Sequence, residues 1–459
     1  MSTPDTTLTE QKVSVGSKIG ICFGAVAMAF GNCMPTFISY FLTENLAIPI
    51  LQVTTMMLMV KILDAVTDIL AGIVIDKTKS PKGKARPWFL RAGIPFAICM
   101  AAIFFVPAEL STGAKLVIVA VLYALTISVF GTLFGCARYA IIPRMSTSMR
   151  ERGVLSSLND GVMSIIAGLA MAMTMILAYS PLGWKGTFTI FAVIAAVGGV
   201  LCYVFVRELP PEQIGEDVKA SVSVKDLIRS LVTNKYALLF LIIALIQFIA
   251  QGMLQLGGSY YFAYIMGDPT LMSTTMFVSM IPAVIAMFVV PLVMRKTTRL
   301  FAYGCAIGAV LMLIVYFFGS AENPWFVIIM MALVTLFSTM IPPMCFGMLC
   351  AMVVDYGEWH SGTRSDGLTS SIANFGNKVG NALGTALLGA VLAAAGFVEG
   401  GVAQSESALA AIKSGYQLIP AIILAVDAVI YFLLFRLGKK MPEIQADLAK
   451  RHAEAASEQ

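Results

Sequence analysis

Apolar residues gather into runs of about twenty or more, and short polar breaks separate one run from the next along the whole chain. Twelve such runs lie near 17–42, 48–75, 88–107, 115–142, 154–181, 186–207, 236–266, 271–294, 299–319, 324–353, 367–397 and 415–437. As a helix rising about 1.5 Å per residue, each run is long enough to cross a hydrocarbon core about 30 Å thick. A helix also satisfies its own backbone hydrogen bonds, which lipid cannot do. The pattern predicts an all-α membrane protein with twelve transmembrane helices.

The longest break, RELPPEQIGEDVKASVSVKDLIRSLVTNKY at 207–236, divides the runs six and six. Two six-helix halves joined by a long connection are the layout of the major facilitator fold, whose solute sites lie between the halves. The expected organisation is an N-terminal half over 1–206, a central cytoplasmic loop over 207–235, a C-terminal half over 236–438 and a cytoplasmic tail over 439–459. Within the loop, SVKDLIRSLVTN reads as a short amphipathic surface helix capped by Ser223. The tail is polar and helix-prone. The opening segment MSTPDTTLTEQKVSVGSK has no signal-peptide core, so the first run is expected to be retained.

Composition narrows the class. The chain is 58% hydrophobic and 12% charged, where soluble domains carry about 25% charged residues. Lys and Arg are distributed unevenly. The breaks after even-numbered runs hold Lys77, Lys79, Lys82, Lys84 and Arg86; Arg144, Arg150 and Arg152; Lys219, Lys225, Arg229 and Lys235; and Arg295, Lys296 and Arg299. The opposite breaks hold Lys115, Lys185, Lys413 or none. By the positive-inside rule both termini face the cytoplasm of a multi-pass inner-membrane protein. The net charge of +5 then reflects topology rather than a nucleic-acid surface. Eight scattered cysteines read as small hydrophobes. With only His360 and His452, a multi-histidine metal centre is excluded. Trp88, Trp184, Trp325 and Trp359 fall near run ends, where an interfacial belt would put them.

Ionisable residues inside the runs cost roughly 2.5–3.5 kcal/mol each on insertion and mark pathways or coupling sites. Asp64 and Asp68 are four apart and share one helix face, with Lys61 over the same face. Two carboxylates there suit a hard alkali cation or a carried proton; the other reading is a neutral structural cluster with Lys61 and Lys378. Lys378, deep in SSIANFGNKVGNALGTALLG, is the natural counter-charge, which an arriving cation would displace to bias a two-state element. Arg138 and Asp160 lie towards the cytoplasmic ends of the fourth and fifth runs, where they either pair beside a cavity or cap the bundle. Asp427 is expected to pair within the bundle or face water and receives no role.

Glycines in GTLFGC (131–136) and GNKVGNALG (376–384) let helices approach closely. The aromatic run SYYFAY (259–264) reads either as a stacking platform for a sugar ring or as an interfacial belt. Gln247, Gln251 and Gln255 form a polar stripe expected to face a wet cavity.

Three stretches carry a family resemblance. LDAVTDILAGIVIDKTKSPKGKARPW, SYYFAYIMGD and VVDYGEWHSGTRSDGLTSSIANFGNKVG resemble, in that order, the second-helix, seventh-helix and tenth-to-eleventh-helix signatures of the glycoside–pentoside–hexuronide:cation symporters, the melibiose permease group. The resemblance implies a major facilitator fold coupling glycoside uptake to Na⁺, Li⁺ or H⁺. It implies that Asp64 and Asp68 are the paired cation-site carboxylates, with Thr132 near the cation. Lys61 falls at an arginine of the melibiose permease, and Lys378 matches the eleventh-helix lysine. Asp76, Lys84 and Arg86 fall in the cytoplasmic loop motif, with a gating role. The chain also departs from the pattern. The sugar-binding aspartates of helices one and four correspond to Ala29 and Gly135, the helix-five arginine to Asp160 and the helix-four tryptophan to Tyr139. The asparagine between the paired acids is Thr67, which puts H⁺ beside Na⁺ as the coupling ion.

The expectation is a secondary transporter and not an enzyme: cation-coupled symport, with H⁺ or Na⁺, of a glycoside-like sugar by alternating access. Candidate solute contacts are Tyr139, Arg138, Asp160, Gln251 and Gln255. The alternative is a cation-coupled carrier of a non-sugar, anionic organic solute that uses Arg138. No cofactor beyond the coupling ion is expected, and if that ion is Na⁺ its ligands are Asp64 and Asp68. The expected partners are a small solute and the bilayer, with no nucleic acid and a monomer as the working form.

Overall fold

The structure is a computed structural model that describes residues 13–146, 148–209, 234–294, 297–361 and 366–457. Every regular element among the described residues is helical. Each expected run holds one span. The first is Val15–Gly31 with Met34–Glu44, the second Ile50–Asp76, and the third Trp88–Arg91 with Gly93–Ile103. The fourth joins Thr112–Ala124, Leu125–Gly131 and Thr132–Ala140; the fifth and sixth are Met149–Ala178 and Gly183–Phe205. The seventh is Lys235–Tyr260 with Tyr261–Ile265, the eighth Thr270–Met294 and the ninth Leu300–Phe318. The tenth joins Pro324–Val334, Thr335–Met340 and Ile341–Ser361, and the eleventh is Asp366–Ala394. The twelfth joins Glu406–Lys413, Ser414–Leu418 and Ile419–Leu434. Among the described residues, nine of these spans qualify for membrane crossing by length and apolarity alone, and the second, third and eleventh fill the remaining places. The surface helix expected at Ser223, the basic residues Lys219, Lys225, Arg229, Arg295 and Lys296, and positions 362–365 of the third signature lie outside the described residues.

Interruptions recur with a period of three spans. The first span breaks at Asn32–Cys33, and the fourth, seventh and tenth each carry a π-helical segment, at Leu125–Gly131, Tyr261–Ile265 and Thr335–Met340. A fourth such segment, Ser414–Leu418, sits in the twelfth span. A three-span period is what nested repeats inside six-helix halves produce. Insertions of this kind free backbone groups and tend to mark functional places.

Packing divides the chain into two units. One holds the described residues up to Ile38 and from Ile62 to Leu209. Its centre is the first span packed on the fifth and sixth, with the sixth also on the third. Trp184 belongs to this interior: only 7% exposed, it is layered with Phe104 and Phe188 instead of lying in an interfacial belt. Three facing rings bury more apolar area there than one ring at the interface would.

The other unit holds Ser39–Lys61 and the described residues from Asn234 onward. The seventh span packs along the eleventh as its main contact. A Cβ on Gly376 would stand 2.7 Å from Ala244 Cβ, and one on Gly380 would stand 2.7 Å from Phe248 Cβ. The glycines of the GNKVGNALG stretch are thus a packing surface. Tyr260, Tyr261 and Phe262 are fully buried, so the aromatic stretch is neither an open sugar platform nor an interfacial belt. Tyr261 packs at a tilt against Tyr416, with 5.0 Å between ring centres. Gln247, expected to face a wet cavity, is also buried: its amide nitrogen donates to Ser338 O over 2.6 Å, and its oxygen accepts from Cys305 Sγ. Asp427, expected to find a partner or water, is fully buried, and neither carboxylate oxygen has a hydrogen-bond partner among the described residues. The eight cysteines are free thiols. The tail forms a helix, Leu437–Ser457, whose buried stripe Leu437, Met441, Ile444 and Leu448 faces the unit. Trp359 Nε1 donates to Asp447 there over 2.8 Å.

Candidate functional site

The second and fourth spans build the first half of the site. Asp64 is 5% exposed, and its Oδ1 accepts the Thr132 hydroxyl across 2.9 Å. Thr132 is the residue on which the fourth span leaves its π-helical turn, and its Oγ1 also lies 3.1 Å from Ile127 O. The irregular turn therefore fixes the hydroxyl that meets the acid. Asp68 lies one turn along the same helix and is half-buried. Thr67, between the acids, turns its hydroxyl back onto its own helix, to Leu63 O at 3.2 Å and Asp64 O at 3.1 Å. That hydroxyl is committed to the backbone. Tyr123, which sequence reasoning missed, is fully buried within electrostatic reach of Asp64, and its hydroxyl has no partner among the described residues.

Two carboxylates, a hydroxyl and a phenol are hard oxygen donors and suit a small alkali cation or a proton. Among the described residues no group of three or more His, Cys, Asp or Glu side chains is placed to hold a metal. Lys61 sits half-buried on the helix of Asp64, and Lys378 sits half-buried on the eleventh span; both lysines belong to the unit that does not hold Asp64.

The second half of the site lies further along the helix Thr132–Ala140. Arg138 is 3% exposed and Asn159, on the fifth span, is fully buried. Arg138 Nη1 donates to Asn159 Oδ1 over 3.2 Å, and Nη2 donates to the Tyr139 hydroxyl over 3.0 Å. Asp160 Oδ1 accepts from Tyr139 OH at 3.2 Å and from Asn159 Nδ2 at 2.9 Å. Arg138 and Asp160 are therefore joined through two intermediaries and make no direct ion pair among the described residues. The guanidinium also lies 4.7 Å from the centre of the Tyr139 ring, a cation–π contact. Tyr139 is 51% exposed and Asp160 is exposed as well. The cluster thus presents an aromatic ring and a carboxylate, with the positive charge behind them. Asn159 gave no signal in the sequence because a lone amide in a span is usually packing. Of the other candidates, Gln251 is half-buried with its Oε1 unpartnered among the described residues, and Gln255 is half-buried; both belong to the other unit.

The basic turn after the second span is held by its neighbours. Arg144 Nη2 meets Asp76 Oδ1 at 3.1 Å. Arg86 Nε donates to Tyr203 O over 2.8 Å and its guanidinium lies over the Tyr203 ring. The backbone N–H groups of Lys84, Ala85 and Arg86 all donate to the Glu208 carboxylate, at 3.0, 2.8 and 2.6 Å. Consecutive N–H groups form such an anion nest. Glu208 and Tyr203 were invisible to motif reasoning because their partners lie over a hundred positions away in sequence.

The family model described as MFS/sugar transport protein matches residues 20–439, spanning both units. The chain belongs to this family of transporters. It is similar to the isoprimeverose transporter of Lactiplantibacillus pentosus, 29% identical over 434 residues that cover 92% of this chain and 88% of that protein. It is also similar to a putative sulfoquinovose importer of Escherichia coli (strain K12), 27% identical and covering 94% and 92% of the two chains. A glucuronide carrier protein homolog of the same organism is 24% identical, covering 96% and 97%. Among solved structures, a nucleoside transporter superposes with a TM-score of 0.67 at 13% identity, covering 92% of this chain and 100% of that one. At that identity the likeness speaks to the fold. The protein is a multi-pass membrane transporter with the major facilitator fold and a glycoside–pentoside–hexuronide symporter-like sequence.

Proposed function

We propose that the protein is a cation-coupled symporter that moves a neutral, glycoside-like solute inward by alternating access, with both termini cytoplasmic. The observation that carries the reading is the helix Thr132–Ala140. It sets Thr132 on Asp64 at one end and Arg138 and Tyr139 in the polar cluster at the other. Thr132 and Tyr139 are seven apart, so they share a helix face. A cation drawn to Asp64 and Asp68 competes for the Thr132 hydroxyl, and any shift of that hydroxyl moves the helix that holds Tyr139. Lys61 and Lys378 supply the counter-charge that the cation replaces. The ion is Na⁺ or H⁺; the committed hydroxyl of Thr67 leaves Asp64, Asp68, Thr132 and Tyr123 as its donors.

The charge order of the cluster favours a neutral solute. An exposed carboxylate within a spanning helix faces water, not lipid. Asp160 there accepts hydroxyl protons, Tyr139 offers its ring to a sugar face, and Arg138 stays buried as the charge that holds both in place. The relative that carries isoprimeverose supports the same reading. A second reading, an anionic solute, draws on Arg138 Nε, which is buried without a hydrogen-bond partner among the described residues, and on the relatives named for a sulfonated sugar and a glucuronide. An anion would have to displace Tyr139 and pass Asp160 to reach that nitrogen.

The deciding experiment is uptake into proteoliposomes of labelled glycosides, glucuronides and small organic acids under separately imposed inward Na⁺ and H⁺ gradients, with Asp68→Asn in parallel. Accumulation of a neutral glycoside under one gradient, lost in the variant, is the expected result. Uptake that ignores both gradients and survives Asp68→Asn would refute symport.

A further inference from the structure

At the ends of the spans opposite the basic turns, a second polar network uses residues that neither the cation site nor the solute cluster needs. It lies wholly within the unit that contains Ser39–Lys61. Glu44, the last residue of the first span, accepts the Tyr264 hydroxyl from the seventh span and the Thr43 hydroxyl at 3.2 Å. Thr43 Oγ1 lies 2.8 Å from the Tyr260 hydroxyl, one turn before Tyr264. The Thr43 carbonyl accepts the Gly400 N–H over 3.0 Å, from the turn between the eleventh and twelfth spans. From the same turn, Glu399 Oε1 accepts the Ile50 N–H over 2.7 Å. Rings fill the space between these bonds: Tyr260 packs on Tyr40 and on Phe397, each at 5.4 Å, and Tyr264 on Phe397 at 5.7 Å.

The bonds exploit groups that helix ends leave free. Thr43 O belongs to the last turn of the first span, where carbonyls lack helical partners; Ile50 N–H opens the second span, where N–H groups lack them. Glu399 is moreover an anion at a helix N-terminus, where the aligned peptide dipoles favour it. Gly400 at φ +96° and Gly401 at φ +71° give the turn the left-handed backbone that brings Glu399 and Gly400 to these two helix ends. Among the described residues, neither Glu44 nor Glu399 forms a salt bridge with Lys or Arg.

We infer that Thr43, Glu44, Tyr260, Tyr264, Glu399 and Gly400 form one latch at the extracytoplasmic end, closed here and released as a unit when that end opens. It rests on the transporter reading, because only alternating access requires the outer end to open. Hydrogen bonds without a cationic partner suit such a latch. Each contributes modestly, so a few of them hold a closed state without locking it. The aromatic rings give the links a shared, dry core, so that breaking one lets water reach the others.

The test is hydrogen–deuterium exchange of the full-length protein in detergent or nanodiscs, resolved with overlapping peptides at Ile50 and Gly400. These two amides are latch donors, and Tyr264 bonds to neither. Tyr264→Phe removes only the hydroxyl on Glu44. If the latch is one unit, exchange at both Ile50 and Gly400 rises by roughly tenfold or more, the loss of about one hydrogen bond to a carboxylate, while peptides from the fourth span stay unchanged. Thr43→Val cuts a different link and must loosen the same two amides, which covers the case where one variant folds poorly. Unchanged exchange at Ile50 and Gly400 in a folded variant would overturn the latch and leave separate local contacts. The measurement needs neither solute nor coupling ion, so its outcome stands apart from that of the uptake assay.

Discussion

Thr132, where the fourth span resumes regular helix, donates its hydroxyl to Asp64 of the second span across 2.9 Å. This contact joins the irregular turn at Leu125–Gly131 to a carboxylate that is almost fully enclosed. The contact thus ties Asp64 to the helix Thr132–Ala140, which carries Tyr139.

Thr132→Ala removes a hydrogen bond to a charged group, a contribution of about 1.5–3 kcal/mol. The half-saturating concentration of the coupling ion is expected to change by roughly tenfold or more, with the solute's own affinity at saturating ion little altered. Uptake measured across a series of ion concentrations checks this.

Arg138→Lys keeps the charge but loses the fork that reaches Asn159 and Tyr139 together. Solute half-saturation is expected to rise about tenfold, because Tyr139 and Asp160 lose their anchor. Asn159→Ala should have the same sign and a smaller effect. Equal solute affinity in wild type and both variants would remove the cluster from solute binding.

Asp160→Asn tests the charge class of the solute. Two unit charges about 4 Å apart repel by about 1 kcal/mol in water and more where water is scarce. The variant is expected to raise uptake of a glucuronide relative to its neutral glycoside by several-fold. A fall in that ratio would favour the anionic reading.

Gly380→Ala places a methyl against Phe248 Cβ, 2.7 Å away, and the Leu245 carbonyl, 2.9 Å away. The seventh and eleventh spans must part, at about 1–3 kcal/mol of overpacking, and thermal unfolding in detergent should shift down. Gly135→Ala is the control: the nearest atom is the mobile end of Met28, 3.7 Å off.

Asp427→Val should stabilise the protein. A buried polar group without a partner costs about 1–3 kcal/mol, and Asp427 has two such oxygens among the described residues. A higher unfolding temperature with transport retained is the expected result, whereas loss of transport in a folded variant would give Asp427 a role in the cycle.

Much of the fold was legible because lipid imposes one rule on every span. Twelve apolar runs sufficed to place twelve spans, and the glycines of the eleventh predicted the tight approach that Gly376 and Gly380 make. Asp64 stood out as a charge inside an apolar run and Thr132 was found through a resemblance, and their contact follows from geometry that spacing alone does not encode. Reading went astray where a polar or aromatic side chain was judged by type. Trp184, Tyr260 and Tyr261 are buried for their area, and Arg138 and Asp160 meet only through Tyr139 and Asn159. Glu208 was out of reach altogether, since three backbone N–H groups leave no trace in side-chain patterns.

Gln247 shows what such a misreading contains. Its amide serves the Ser338 carbonyl inside the π-helical segment of the tenth span. A widened helical turn strands a carbonyl in a medium that offers no substitute donor, so some neighbour must escort it. A polar residue in one membrane helix can therefore be the fingerprint of a defect in another. Pairs such as Gln247 and Ser338 ought to be lost or gained together as related transporters diverge, which makes the glutamine a marker for an irregular turn no hydropathy profile can display.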